Sequence, residues 1–152
     1  MNEEQTTILL ADDDPNDVFL MKRAFKRAGY CNLLQVVQNG EEAVSYLVGD
    51  GCFQDRASFP LPSLVLLDLK MPRKSGLEVL KWIRSQNSGL RRVPVVVLTS
   101  SKQPVDVDRA YELGANSYLV KPVTFEKLLE LVRTVNHYWM GVCTRPDISK
   151  LI

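Results

Sequence analysis

A chain of 152 residues has room for one full hydrophobic core and not for two. With 45% hydrophobic and 24% charged residues the composition is that of a globular domain, and a net charge of +1 gives no bulk electrostatic footprint for nucleic acid. No apolar run approaches the roughly 20 residues a bilayer span needs, and Met1 to Gln5 lack the basic and apolar regions of a signal peptide. Three scattered cysteines (Cys31, Cys52, Cys143), with no CxxC and no histidine partner, argue for reduced thiols and against a zinc site or disulfide framework. The chain therefore reads as a single cytoplasmic domain over residues 1–152, with a core at 6–140 and a tail at 141–152.

Thr7 to Ala11 is a short run of strand formers that ends in Asp12-Asp13-Asp14. Pro15 suits a first helical turn, with Asp14 placed to cap it, and Val18, Leu20, Met21, Ala24, Phe25 and Ala28 recur at helical spacing up to Gly29. Leu33 to Val37 predicts a second strand, and Asn39-Gly40 a turn into a helix that Gly49-Asp50-Gly51 closes. Cys52 to Ser63 carries two prolines and little periodicity, and reads as a loop. Leu64 to Leu67 is apolar without alternation, as a strand buried on both faces requires, and Asp68 follows it. Ser75-Gly76 opens a helix with Leu77, Val79, Leu80, Trp82 and Ile83 inward, and Val93 to Leu98 is a fourth strand ending in Thr99-Ser100-Ser101. Pro104 and Asp106 begin a helix that runs to Gly114, and Ser117 to Val120 is a short fifth strand before Lys121-Pro122. Phe125, Leu128, Leu129, Leu131, Val132 and Val135 mark a last helix that extends toward Trp139, and no structure is assigned after Gly141.

Strands alternating with helices define an α/β fold with a five-stranded parallel sheet, helices on both faces and the flavodoxin-like order 2-1-3-4-5. Its switch point lies between strands one and three, which brings Asp12 and Asp13 beside Asp68. Four of the five strands end in a polar group that can do chemistry: Asp12 to Asp14, Asp68, Thr99 and Lys121. Crowded carboxylates repel one another, and a hard divalent cation such as Mg²⁺ resolves that repulsion with oxygen ligands. A metal alone leaves Lys121 and Thr99 unexplained. A phosphoryl group on Asp68 explains both, because its equatorial oxygens need a cation and a hydroxyl as well as the metal.

These pieces in this order resemble the receiver domain of two-component response regulators. The resemblance rests on Ile8 to Asp14, Leu66 to Pro72 with Gly76, Val97 to Ser100, and Gly114-Ala115 followed by Tyr118 and Lys121-Pro122. It implies a non-enzymatic signalling protein whose Asp68 accepts a phosphoryl group from a sensor histidine kinase. It also implies Mg²⁺ held by Asp13, Asp68 and the Lys70 carbonyl, with Asp12 reaching the metal through water. Thr99 and Tyr118 would be the switch pair, and the side chains at Lys70 and Ser101 would tune attack by water. Within the family the chain is similar to single-domain regulators partnered with phytochromes, on the long loop from Gly49 to Ser63, the run Met71 to Gly76 and the aromatic end Tyr138-Trp139. That subgroup implies a homodimer through the face made by helix four, strand five and helix five.

Other readings of the same residues compete. Asp12 to Asp14 can be a solvated cap cluster, and Thr99 to Ser101 a cap for the next helix. A phosphorelay intermediate or phosphate sink uses the same aspartate and differs only in passing the group on. An aspartyl-phosphate-forming phosphatase needs a second acid two residues after the nucleophile, where this chain has Lys70. An FMN binder needs glycine and hydroxyl donors in the first loop, where this chain is acidic. His137, the single histidine, is a bystander on the last helix, and Lys22-Arg23 with Lys26-Arg27 form a solvated basic edge.

Overall fold

The computed structural model describes residues 6–30 and 33–149. Strands β1 (Ile8–Ala11), β2 (Leu34–Val37), β3 (Leu64–Leu67), β4 (Val95–Thr99) and β5 (Ser117–Val120) are all parallel, in the order β2-β1-β3-β4-β5. Helices α1 (Pro15–Ala28), α2 (Gly40–Val48), α3 (Gly76–Arg84), α4 (Pro104–Glu112) and α5 (Phe125–Asn136) connect or follow them. The expected α/β order is therefore the observed one.

The central strands are continuously apolar because both their faces are covered. Alternate side chains of β1 and β3 divide accordingly. Leu9, Ala11, Val65 and Leu67 pack with Ala43, Tyr46, Leu47, Val79, Leu80 and Ile83 of α2 and α3. Ile8, Leu10, Leu64 and Leu66 pack on the opposite face with Met21, Ala24 and Phe25 of α1 and Leu128, Leu129, Val132 and Val135 of α5. A smaller cluster of Leu69, Val97 and Ala110 seats α4. Each fully buried Leu or Phe contributes roughly 2 kcal/mol, so β1 and β3, with both faces covered, fix where the residues following them emerge.

Helix ends follow local chemistry. The Asp14 carboxylate accepts from the backbone N–H groups of Asn16 (2.9 Å) and Asp17 (3.4 Å), Pro15 starts α1, and Gly29 at φ 88° ends it. Capping occupies Asp14, which leaves Asp12 and Asp13 for other work.

Several boundaries differ from the sequence reading. β4 begins at Val95, not Val93, because Pro94 has no N–H for the ladder, although its carbonyl accepts from Val65 N–H at 2.9 Å. α4 stops at Glu112, and Trp82 and Leu77 of α3 are only half-buried at the edges of their clusters. The segment read as a loop before β3 contains a 3₁₀ turn at Gly51–Phe53 and an aromatic cluster of Tyr46, Phe53 and Phe59, with ring centroids 5.1–6.0 Å apart. The Arg56 guanidinium fastens that segment by donating to the carbonyls of Tyr46 (2.7 Å), Leu47 (2.9 Å) and Phe59 (3.1 Å). The chain beyond α5 makes a π-helical turn over His137–Val142, and the tail then returns so that Ile148 packs against the α2–α3 cluster. Arg92 donates to the Asp147 carbonyl at 2.9 Å, so structure extends well past Gly141. Cys52 and Cys143 are free thiols, and Cys31 lies outside the described residues.

Candidate functional site

The ends of β1, β3, β4 and β5 meet on one rim, and backbone bonds set their register. Asp68 N–H donates to the Ala11 carbonyl at 3.0 Å, which places Asp68 next to Asp12 at the sheet's switch point. Lys121 N–H donates to the Thr99 carbonyl at 2.8 Å and sets the lysine beside the end of β4. The Lys121–Pro122 bond is trans.

Lys121 is the centre of the constellation. Its ammonium donates to Asp12 Oδ2 at 2.8 Å, Asp68 Oδ2 at 2.8 Å and Asp17 Oδ2 at 2.7 Å. An ammonium has three N–H groups, so all are engaged. Burial opposes the charge on Lys121, but the bonds to Asp12, Asp17 and Asp68 outweigh it and raise the pKa above the ordinary lysine value. The lysine is therefore a fixed cation on this rim. Asp12 is 2% exposed, and burial raises its pKa despite the Lys121 and Asp14 N–H bonds.

Asp12, Asp13 and Asp68 each offer a carboxylate oxygen within 4.8 Å of the others. Asp12 and Asp68 are buried while Asp13 is exposed, so the trio opens to solvent on one side. Buried hard-oxygen donors with excess negative charge and an open side fit a hard divalent cation that keeps several waters. Lys70 is exposed and lines the same cleft, and its N–H donates to Asp68 Oδ1 at 3.4 Å. The cleft, about 530 Å³, also takes in Asp13, Asp17, Thr99, Ser101 and Lys121.

Thr99 is 1% exposed at the end of β4. Tyr118 stands farther along, packed against the cluster of Leu69, Val97 and Ala110, and its hydroxyl donates to the Ser101 carbonyl at 2.9 Å. The Ser101 hydroxyl donates to the Asp106 carboxylate, so the loop after Thr99 is tied both to β5 and to α4. Thus Asp12, Asp13, Asp68, Thr99 and Lys121 converge, while the Tyr118 hydroxyl is bonded to the Ser101 loop and feels the Asp68 charge. His137 is exposed at the start of the π-helical turn.

The sequence reading missed Asp17. It lies one helical turn before Met21, on the inward stripe of α1, and a carboxylate there was the available signal. It also missed the close approach beneath Asp68. Gly76 lies against the loop from Asp68 to Leu69, and its N–H donates to the Leu69 carbonyl at 2.9 Å.

A doubly wound sheet with an acidic trio, a half-buried lysine and a threonine on its rim defines a receiver. The chain belongs to the response regulator receiver domain family, which it matches over residues 8–133, and is a two-component signalling protein. Among relatives, it is 39% identical over 139 residues to the probable methanogenesis regulatory protein FilR2 of Methanothrix harundinacea, covering 91% of this chain and 86% of that one. It is 37% identical to the response regulator Rcp1 of Synechocystis sp., covering 91% of this chain and 92% of that one. The Mn²⁺-bound structure of Rcp1 superposes with a TM-score of 0.82 at 34% identity over 93% of this chain and 99% of that one. The phosphorylated cyanobacterial phytochrome response regulator RcpA superposes with a TM-score of 0.85 at 32% identity over 94% of this chain and 99% of that one. Its resemblance to single-domain phytochrome response regulators is thus matched in both sequence and structure.

Proposed function

We propose that Asp68 accepts a phosphoryl group from the phosphohistidine of a sensor histidine kinase and that the protein signals through the resulting change of surface. The observation that carries this reading is the Lys121 ammonium 2.8 Å from Asp68 Oδ2 at the edge of a carboxylate trio. In the transfer, Asp68 Oδ2 attacks phosphorus in line, the N–P bond breaks, and the imidazole leaves with a proton from solvent. Asp12, Asp13 and Asp68, with the Lys70 carbonyl, would hold Mg²⁺, Asp12 through water. When bound, the ion neutralises charge on the phosphoryl oxygens and on the carboxylates. Lys121 binds a second oxygen once Asp68 Oδ2 becomes part of the acyl phosphate, and the Thr99 hydroxyl binds a third.

Tyr118 supports a switch role because its hydroxyl already rests on the loop that Thr99 begins. Movement of Thr99 toward a phosphoryl group pulls on that loop and so on the tyrosine. The output is a population shift between two arrangements of α4, β5 and α5. That face carries the exposed side chains Val105, Tyr111 and Val123, and a homodimer through it is the form of output we assign. The likeness to Rcp1 and RcpA makes a phytochrome kinase the partner of choice. We place the domain in the cytoplasm as a single receiver unit; no helix among the described residues is long and apolar enough to cross a membrane.

Incubation with Mg²⁺ and acetyl phosphate, read by intact mass, tests the assignment. One added phosphoryl group on the wild type and none on Asp68→Asn is the expected result. A wild type that gains nothing and does not bind beryllofluoride contradicts it. Rapid return of the group to a histidine, without dimerisation, would make the protein a relay intermediate instead.

A further inference from the structure

The proposed function uses Asp12, Asp13, Asp68, Thr99 and Lys121, and leaves one charged contact of the site without a role. Asp17, on the first turn of α1, holds Lys121 Nζ at 2.7 Å. Its side chain is 35% exposed, and it is not among the three carboxylates within metal-sharing distance of one another. We infer that Asp17 is a positioning residue that holds the Lys121 ammonium over Asp68 while the third lysine N–H passes from Asp68 to the phosphoryl group.

The geometry carries this inference, which rests on Asp68 being the phosphoryl acceptor. All three ammonium protons are engaged, by Asp12 from the end of β1, Asp17 from α1 and Asp68 from the end of β3. Lys121 can therefore reach a phosphoryl oxygen only by giving up one acceptor. Asp68 Oδ2 is the one that phosphorylation itself removes, because an acyl phosphate bridging oxygen is a weak acceptor. Asp12 and Asp17 then remain as the two fixed anchors. Asp12 alone leaves the long lysine side chain free to pivot about a single bond, whereas two anchors on different elements fix both position and direction. The side chain of Asp17 is in turn fixed by its place on a helix whose N-terminus Asp14 caps and Pro15 starts. The cleft beside Asp68 and the inner pocket toward Leu20, Met21 and Pro122 are both lined by Asp17 and Lys121, so the pair forms the wall between them.

The test compares Asp17→Ala with Asp17→Asn, which keeps an oxygen acceptor but not the charge. Phosphorylation by acetyl phosphate with Mg²⁺ is followed by intact mass at several donor concentrations, and Mn²⁺ affinity is measured by electron paramagnetic resonance. Because Asp17 is one-third exposed and screened by solvent, the expected loss in phosphorylation rate constant for Asp17→Ala is moderate, about fivefold. Asp17→Asn should stay within about twofold of wild type, with Mn²⁺ affinity unchanged in both. The ¹⁵N-labelled Lys121 ammonium should give a resolved proton signal in wild type and Asp17→Asn and a broadened one in Asp17→Ala.

An Asp17→Ala protein that is phosphorylated at the wild-type rate overturns the inference. Equal acceleration of both variants also overturns it, since that outcome assigns Asp17 a repulsive charge effect and no positioning. A wild type that is never phosphorylated overturns the assignment of Asp68 itself and this inference with it. If the lysine signal alone still depends on Asp17 in that case, the pairing is structural only.

Discussion

Gly76 lies directly beneath the backbone of Asp68: a Cβ at position 76 would stand 2.1 Å from the Asp68 carbonyl oxygen and 2.8 Å from Leu69 Cα. Nothing at that position larger than hydrogen fits without moving the loop that carries Asp68. Both obstacles are backbone, so no side-chain rotation relieves the clash. Gly76→Ala should therefore lower stability by about 1–3 kcal/mol, as overpacking does. It should also weaken Mn²⁺ binding, because the displaced loop carries Asp68. Urea unfolding and metal titration of the same variant check both effects; Gly141→Ala, where a Cβ meets nothing within 4 Å, should change neither.

Asp13 is exposed while Asp12 and Asp68 are buried, so its loss should cost the metal and spare the fold. Asp13→Asn removes one of three carboxylates from a hard-cation site. We expect Mn²⁺ affinity to fall at least about tenfold with the metal-free unfolding midpoint within about 0.5 kcal/mol of wild type. Phosphorylation by acetyl phosphate should fall in parallel, and excess Mg²⁺ should restore part of it.

Asp12 gives the metal-free protein a pH dependence of definite sign. Burial raises its folded pKa above the ordinary value of 3.8, so the folded state binds the Asp12 proton more tightly than the unfolded chain does. The corresponding stability is present below pH 3.8 and is lost as pH rises through the raised folded value. Between those limits Asp12→Asn, which cannot ionise, should lose less stability with rising pH than wild type. Chemical denaturation in EDTA at a series of pH values measures the difference. Lys121, with its pKa raised by the three carboxylates once burial is overcome, stays charged throughout that window and adds no slope of its own.

Tyr118→Phe removes the hydroxyl bond to the Ser101 carbonyl and keeps the ring on Leu69, Val97 and Ala110. The lost bond should cost about 1 kcal/mol of stability. Phosphorylation of Asp68 should persist, because the tyrosine hydroxyl bonds to the Ser101 carbonyl and not to Asp68, while phosphorylation-dependent dimerisation weakens. Sedimentation velocity with and without beryllofluoride separates the two effects.

The parts of the site that were legible in the sequence are those fixed by strand ends. In a parallel sheet every strand delivers its next residue to the same rim, so Asp12, Asp68, Thr99 and Lys121 could be placed together once the strands were counted. Asp17 was not legible by that logic. It comes from a helix, and its contact depends on how α1 rotates against the sheet, which Met21, Ala24 and Phe25 decide by packing. The layout of the sheet was legible from apolar runs, but the segment before β3 was not. Phe53 and Phe59 show no periodicity, and what orders them is Arg56 binding the carbonyls of Tyr46, Leu47 and Phe59. The tail is similar: Ile148 is an isolated apolar residue whose partner cluster lies on the other side of the fold from α5.

Arg56 supplies the last prediction, because it separates stability from signalling. Its guanidinium takes up the carbonyls of Tyr46 and Leu47 at the end of α2 and of Phe59 in the following segment. Those groups sit beneath the aromatic cluster, and Tyr46, whose pKa burial pushes up to about 12 against the nearby Arg56 charge, donates its hydroxyl to the Pro60 carbonyl at 2.8 Å. Arg56→Ala leaves the Leu47 and Phe59 carbonyls without the guanidinium and the Tyr46 carbonyl with the Gly49 N–H at 3.2 Å, and it loosens the rings, at a cost of about 2 kcal/mol. None of the residues it touches lines the acidic cleft. The variant should therefore unfold at lower urea yet take up a phosphoryl group at the wild-type rate under folding conditions. Loss of phosphorylation in the folded Arg56→Ala protein would instead couple the α2–β3 segment to the loop that carries Asp68, through the packing of Tyr46 and Leu47 in one cluster with Leu67.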